Sequence, residues 1–135
     1  MGNSRNLSLV VGTSQDLTRR WLVSTLEDMS CVVQQALCGW DLLRLLTAGG
    51  GVDLAICDLR LAGPGGLRTL GLARTMGIEV PFLLLGDPSD FEVRVAAARL
   101  GAGLLSPRLT AGELARSVRA SCKVARPSCA SRNVH

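Results

Sequence analysis

Lysine, histidine and tyrosine are almost missing from this chain: among 135 residues there is one lysine (Lys123), one histidine (His135) and no tyrosine. A single histidine at the last position leaves no Ser-His-Asp or Cys-His arrangement for nucleophilic catalysis. It also leaves little to build a metal site with, because the five cysteines (Cys31, Cys38, Cys57, Cys122, Cys129) show no paired Cys-x-x-Cys spacing. An odd number of cysteines equally argues against a disulfide framework. Two tryptophans and two phenylalanines are too few to line a base-stacking surface. No stretch reaches the roughly 18 uncharged apolar residues of a membrane span, and the start runs straight into a short apolar segment rather than a signal-peptide core. The expectation is a cytoplasmic protein with no membrane association, no metal and no cofactor.

What is present is apolar. A hydrophobic content of 47% in a chain of this length suffices for one domain with one proper core. The formal charge of +4 sets fourteen arginines and Lys123 against eleven acids, with Arg116, Arg119, Lys123, Arg126 and Arg132 gathered near the end. A solvated helix face running into a loose tail accounts for such a cluster, and nucleic-acid binding is the alternative. Residues 1–122 are expected to form the domain and 123–135 a flexible basic tail.

Strand and helix signals alternate along the chain. Leu7–Val11 is a short apolar strand ending at Gly12, and Gln15–Asp28 carries Leu17, Trp21, Leu22 and Leu26 at helical spacing. Cys31–Ala36 reads as a second strand, and a helix containing Trp40, Leu42, Leu43, Leu45 and Leu46 stops at Gly49-Gly-Gly51. Val52–Asp58 is a third strand, Leu67–Met76 a third helix, and Val80–Leu85 a continuous apolar strand with Pro81 near its start. Phe91–Leu100 is helical with Asp87 or Ser89 as its cap, only Leu104-Leu105 remain for a fifth strand, and Thr110–Cys122 opens with a Thr-x-x-Glu capping box. Five such alternations with near-continuous apolar strands predict an α/β fold: a doubly wound, five-stranded parallel sheet with helices on both faces. In these sheets the functional site lies beyond the carboxyl ends of the strands. That directs attention to Gly12-Thr13, Asp58, Gly86-Asp87 and Ser106-Pro107.

From Leu7 to Ala120 this order and spacing resembles the receiver domain of bacterial response regulators. Val52-Asp-Leu-Ala-Ile-Cys-Asp58 is similar to the receiver strand that ends in the phosphoacceptor aspartate, with Gly66 opening the next helix eight residues later. Val80–Leu85 and the Ala97-Ala-Arg-Leu-Gly-Ala102 helix end strengthen the likeness. The resemblance implies the flavodoxin-like strand order 2-1-3-4-5 and puts Asp58 at the phosphoacceptor position.

Most of the remaining machinery that the family implies is absent. A receiver has an acidic pair after its first strand, to hold Mg²⁺ by carboxylate oxygens; the matching positions are Gly12 and Thr13. Asp16, one helical turn further on, is expected to cap its helix or face solvent, with a substitute Mg²⁺ ligand as the alternative. The switch hydroxyl corresponds to Gly86, the aromatic switch partner to Leu104, and the lysine before proline to Ser106, with Arg108 the only cation nearby. Arg60 either pairs with Asp58, standing in for the metal, or points into solvent. Asp87 is a helix cap or a further acid at the site. Gly63-Pro-Gly-Gly66 lacks phosphate-loop spacing and reads as a turn.

The resemblance then implies a pseudo-receiver, a non-enzymatic signalling domain that acts by binding another protein. Its partner face would run from Phe91 to Arg119, made basic by Arg94, Arg99, Arg108, Arg116 and Arg119 around Leu104, and would suit an acidic protein surface. A homodimer is compatible with it. The alternative is an unorthodox receiver still phosphorylated on Asp58; a nucleic-acid-associated regulator using the basic end is a third reading. With no helix-turn-helix pattern, DNA binding is expected to be non-specific, with Kd on the order of 10⁻⁴ to 10⁻⁶ M at physiological salt. Sequence-selective retardation in a gel shift at that salt would overturn this.

Overall fold

A computed structural model describes the backbone of residues 6–134 and the side chains of residues 6–122. Five strands alternate with five helices: β1 (Ser8–Gly12), α1 (Asp16–Asp28), β2 (Val32–Ala36), α2 (Gly39–Thr47), β3 (Leu54–Asp58), α3 (Gly66–Thr75), β4 (Phe82–Leu85), α4 (Phe91–Arg99), β5 (Ala102–Leu105) and α5 (Ala111–Val134). All four strand pairings are parallel and the order is β2-β1-β3-β4-β5, as the resemblance implies.

Hydrophobic alternation sorts the side chains between two layers. On one face Leu9 and Val11 of β1 and Leu54 and Ile56 of β3 meet Leu22 and Leu26 of α1 and Leu114, Val118 and Cys122 of α5. On the other, Val10, Ala55, Cys57, Phe82 and Leu84 meet Leu42 and Leu43 of α2, Leu70 and Ala73 of α3 and Ala97 of α4. The central strand β3 is buried along its whole length, which carries Asp58 at its end into the interior.

The elements depart from the sequence reading at their edges. The fifth strand is Ala102–Leu105, twice what its sequence suggests, because Gly101 at φ +73° turns the chain from α4 directly into the sheet. The cap of α4 is Asp90, which accepts from the Val93 amide at 3.2 Å, and not Asp87 or Ser89. Those two instead close a turn on each other: the Asp87 carboxylate accepts from the Ser89 amide at 2.9 Å and its hydroxyl at 2.7 Å. The capping box of α5 forms as read, with the Thr110 amide donating to Glu113 at 2.8 Å and the Glu113 amide to Thr110 Oγ1 at 3.1 Å. The bounds of α5 enter the stretch expected as a flexible tail; the side chains from 123 onward and His135 lie outside the described residues, and so does that expectation.

At the opposite end of the sheet from Asp58, Arg74 ties three elements together. Its guanidinium donates to the carbonyls of Leu100, Ile78 and Val80 at 2.9, 2.8 and 2.9 Å and stands 5.4 Å from the Phe82 ring centroid. Burial lowers its pKa, with Glu79 acting the other way. Replacing Arg74 with alanine is expected to cost about 2–3 kcal/mol of unfolding free energy, since charged hydrogen bonds are lost and carbonyls stranded. Lysine should restore less than half, because an ammonium cannot reproduce the fork. Urea denaturation of the two variants measures both.

Candidate functional site

The carboxyl ends of β1, β3 and β4 come together around Asp58, which is only 7% exposed. Burying a carboxylate requires hydrogen bonds to it, and two neutral donors provide them. Thr13, fully buried, donates from Oγ1 to Asp58 Oδ2 at 3.1 Å, and the Arg60 amide donates to Oδ1 at 2.9 Å. Thr13 Oγ1 in turn accepts from the Gln15 amide at 3.1 Å, which fixes the hydroxyl at the mouth of α1. The arginine at 60 thus reaches Asp58 through its backbone. Among the described residues its guanidinium makes no ion pair with the carboxylate, and its side chain is exposed, the solvent-facing alternative of the two that the sequence left open. Next to Asp58, Cys57 is fully buried, and desolvation with the adjacent negative charge pushes its thiol up to about 12, so it stays protonated.

Leucine side chains pack against the two glycines at the ends of β1 and β4. A Cβ placed on Gly86 would overlap Leu59 Cδ1 and lie 2.9 Å from Leu59 Cγ, so the residue following Asp58 folds over the bare backbone at the end of β4. A Cβ on Gly12 would meet Leu61 Cδ2 at 3.2 Å and Leu42 Cδ2 at 3.5 Å, so this position faces core and not Asp58. Gly66 has a stricter reason to be glycine. A Cβ there would collide with the Asp58 carbonyl and stand 2.8 Å from Leu59 Cα, and its amide donates to Leu59 O at 3.0 Å. The start of α3 is thereby pressed onto the chain leaving β3.

The other acids are turned away. Asp16, in the first turn of α1, pairs with Arg19 and Arg20. Asp87 is engaged by Ser89, whose hydrogen bonds hold its carboxyl below its ordinary value. A receiver's Mg²⁺ requires several carboxylate oxygens converging on one point. This donor set does not fit one: a single carboxylate with both oxygens engaged, and no group of three His, Cys, Asp or Glu residues among those described.

Over Asp58 lies a cleft of about 320 Å³, lined by Gln15, Thr18, Leu59, Arg60, Gly86 and Pro107. Gln15, Thr18 and Leu59 were not singled out from sequence. Only Leu59 had a signal, its adjacency to Asp58 opposite a glycine. Ser106 stands outside this cleft; its Oγ accepts from the Arg108 amide at 3.1 Å. Leu104 is half-buried on β5, in register with Leu84, and Arg94, Arg99, Arg108, Arg116 and Arg119 are all exposed. Two grooves flank β5. One of about 410 Å³ against α4 includes Phe91, Arg94, Val95, Ala98 and Leu104; the other, about 450 Å³ against α5, includes Ser106, Arg108, Glu113, Arg116 and Ser117.

The topology is shared with solved receiver domains of response regulators. The receiver domain of the Francisella response regulator 1452 superimposes with a TM-score of 0.82 at 18% identity, covering 90% of this chain and all of the other. The signal receiver domain of the putative response regulator NarL from Mycobacterium tuberculosis gives 0.79 at 24% identity, covering 89% and 98%. Chemotaxis response regulator CheY4 of Vibrio cholerae gives 0.79 at 18%, covering 87% and 99%. No family model and no curated protein matches the sequence. The likeness is one of fold.

Replacing Thr13 with valine keeps its shape and leaves Asp58 Oδ2 without its donor. The expected loss is about 1–3 kcal/mol of stability, with serine close to the parent protein. Equal unfolding curves for the valine variant and the parent would show that the hydrogen bond contributes nothing.

Proposed function

We propose that this chain is a pseudo-receiver: a bacterial signalling domain that acts by binding another protein and does without Mg-dependent phosphorylation of Asp58. The observation that carries the reading is the Thr13 hydroxyl bonded to Asp58 at the position where a receiver has an acid. Phosphoryl transfer to a carboxylate depends on positioning and on neutralising the charge of the transferring group by metal and cations. Here a hydroxyl and an amide engage one oxygen each of the carboxylate, Leu59 lies over Gly86, and no lysine precedes position 123. Gly86 has no hydroxyl to move toward a phosphoryl group, and a ligand without differential interaction between two states shifts nothing.

Signalling then runs through one constitutive face, the α4-β5-α5 side, whose exposed arginines suit an acidic surface on a second signalling protein. Among the described residues no helix is long and apolar enough to cross a membrane, and a cytoplasmic site of action accords with that. The runner-up is an unorthodox receiver phosphorylated on Asp58, favoured by the fact that Asp58 lines the open cleft. Titration of the ¹⁵N-labelled chain with Mg²⁺ and beryllofluoride separates the two. The expected result is no saturable shift of the amides of Thr13, Asp58, Leu59 or Gly86, whereas a saturable shift there selects the runner-up.

A further inference from the structure

β5 is an edge strand, and no strand among the described residues pairs with its outer edge. The Gly86 amide donates to the Leu105 carbonyl, so Leu105 turns its backbone groups toward β4. By the two-residue period of a strand Gly103 does the same, and the amides and carbonyls of Ala102 and Leu104 point away from the sheet. Open edges of natural sheets are guarded by charged side chains, proline or a covering element. The strand Ala102-Gly-Leu-Leu105 contains no charge and no proline, and it lies between two grooves of different chemistry.

On the α4 side, Phe91 (71% exposed), Val95 and Leu104 make the groove mostly apolar, with Arg94 the one charged residue that lines it. On the α5 side, Arg108 and Arg116 make it cationic, with Glu113 bonded back to the Thr110 amide. An added strand places successive side chains alternately on the two faces of the sheet. A segment alternating apolar and acidic residues would therefore drop the apolar set against Phe91 and Val95 and the acidic set against Arg108 and Arg116.

We propose that the free edge of β5 is a docking site for an extended, acidic segment of the partner protein, which joins the sheet as a sixth strand by backbone pairing with Ala102 and Leu104. The inference rests on the reading that this face carries the output. Charge selects the occupant: five arginines against two glutamates between Phe91 and Arg119 attract an acidic strand and disfavour edge-to-edge pairing with a second copy.

The test uses the full chain, ¹⁵N-labelled, and the capped peptide Asp-Val-Asp-Val-Asp-Val-Asp. Saturable shifts are expected at Ala102, Leu104 and the flanking residues of α4 and α5, with slowed exchange of the Leu104 amide. Arg108→Glu with Arg116→Glu should weaken binding at least about tenfold, roughly 1.4 kcal/mol. N-methylating the peptide at one alternate set of amides should abolish binding, and methylating the other set should spare it. No saturable shift up to about 1 mM peptide, equal effects of the two methylation patterns, or shifts centred elsewhere would each overturn the proposal. Concentration-dependent dimerisation through the same residues would overturn it in favour of a second copy. Repeating the titration with Mg²⁺ and beryllofluoride keeps the two readings apart, since binding that requires them retains the edge site and sinks the pseudo-receiver.

Discussion

A carboxylate buried at the end of the central strand has to be solvated by protein, and the arrangement around β3 follows from how that is done. Asp58 receives one hydrogen bond from a side chain 45 residues earlier and one from its own chain two residues later. The first fixes the loop leaving β1 against β3. The second fixes the turn leaving β3, and that turn brings the Leu59 carbonyl within reach of the Gly66 amide and so sets where α3 begins. One buried acid thus couples two connections at the carboxyl end of the sheet, β1 to α1 and β3 to α3. Both of its donors are neutral groups supplied by the fold.

The fold was legible because its signals are redundant. Apolar strands of about five residues, glycines at helix ends and an amphipathic α5 with a capping box all agree, and agreement across levels is what specifies a structure. The misreadings lie where one local signal competes with another. Asp87, Ser89 and Asp90 are all good caps, and sequence cannot say which of them the turn Asp87-Pro-Ser89 consumes. Ala102 and Gly103 have weak strand propensity and become strand because β4 supplies the ladder.

The place of the site was legible in the sequence, and its contacts were much less so. That Asp58 ends β3 and that Thr13 and Gly86 stand near it follow from strand order alone. That Thr13 would donate to Asp58 does not, since a threonine in that place could equally have turned to solvent or capped α1. Nor does spacing reveal that Leu59 lies over Gly86, or that Gly12 looks toward Leu61 and Leu42 and away from the cleft. These are packing facts, decided by which side chains fill the room that two glycines leave.

The pairing of Leu59 with Gly86 bears on how such a chain can change over generations. A side chain at 86 meets the body of Leu59, and a smaller residue at 59 leaves a void above bare glycine. A residue at 86 larger than glycine has to displace Leu59 from its place over the end of β4, so what position 86 can carry and where Leu59 lies are decided together.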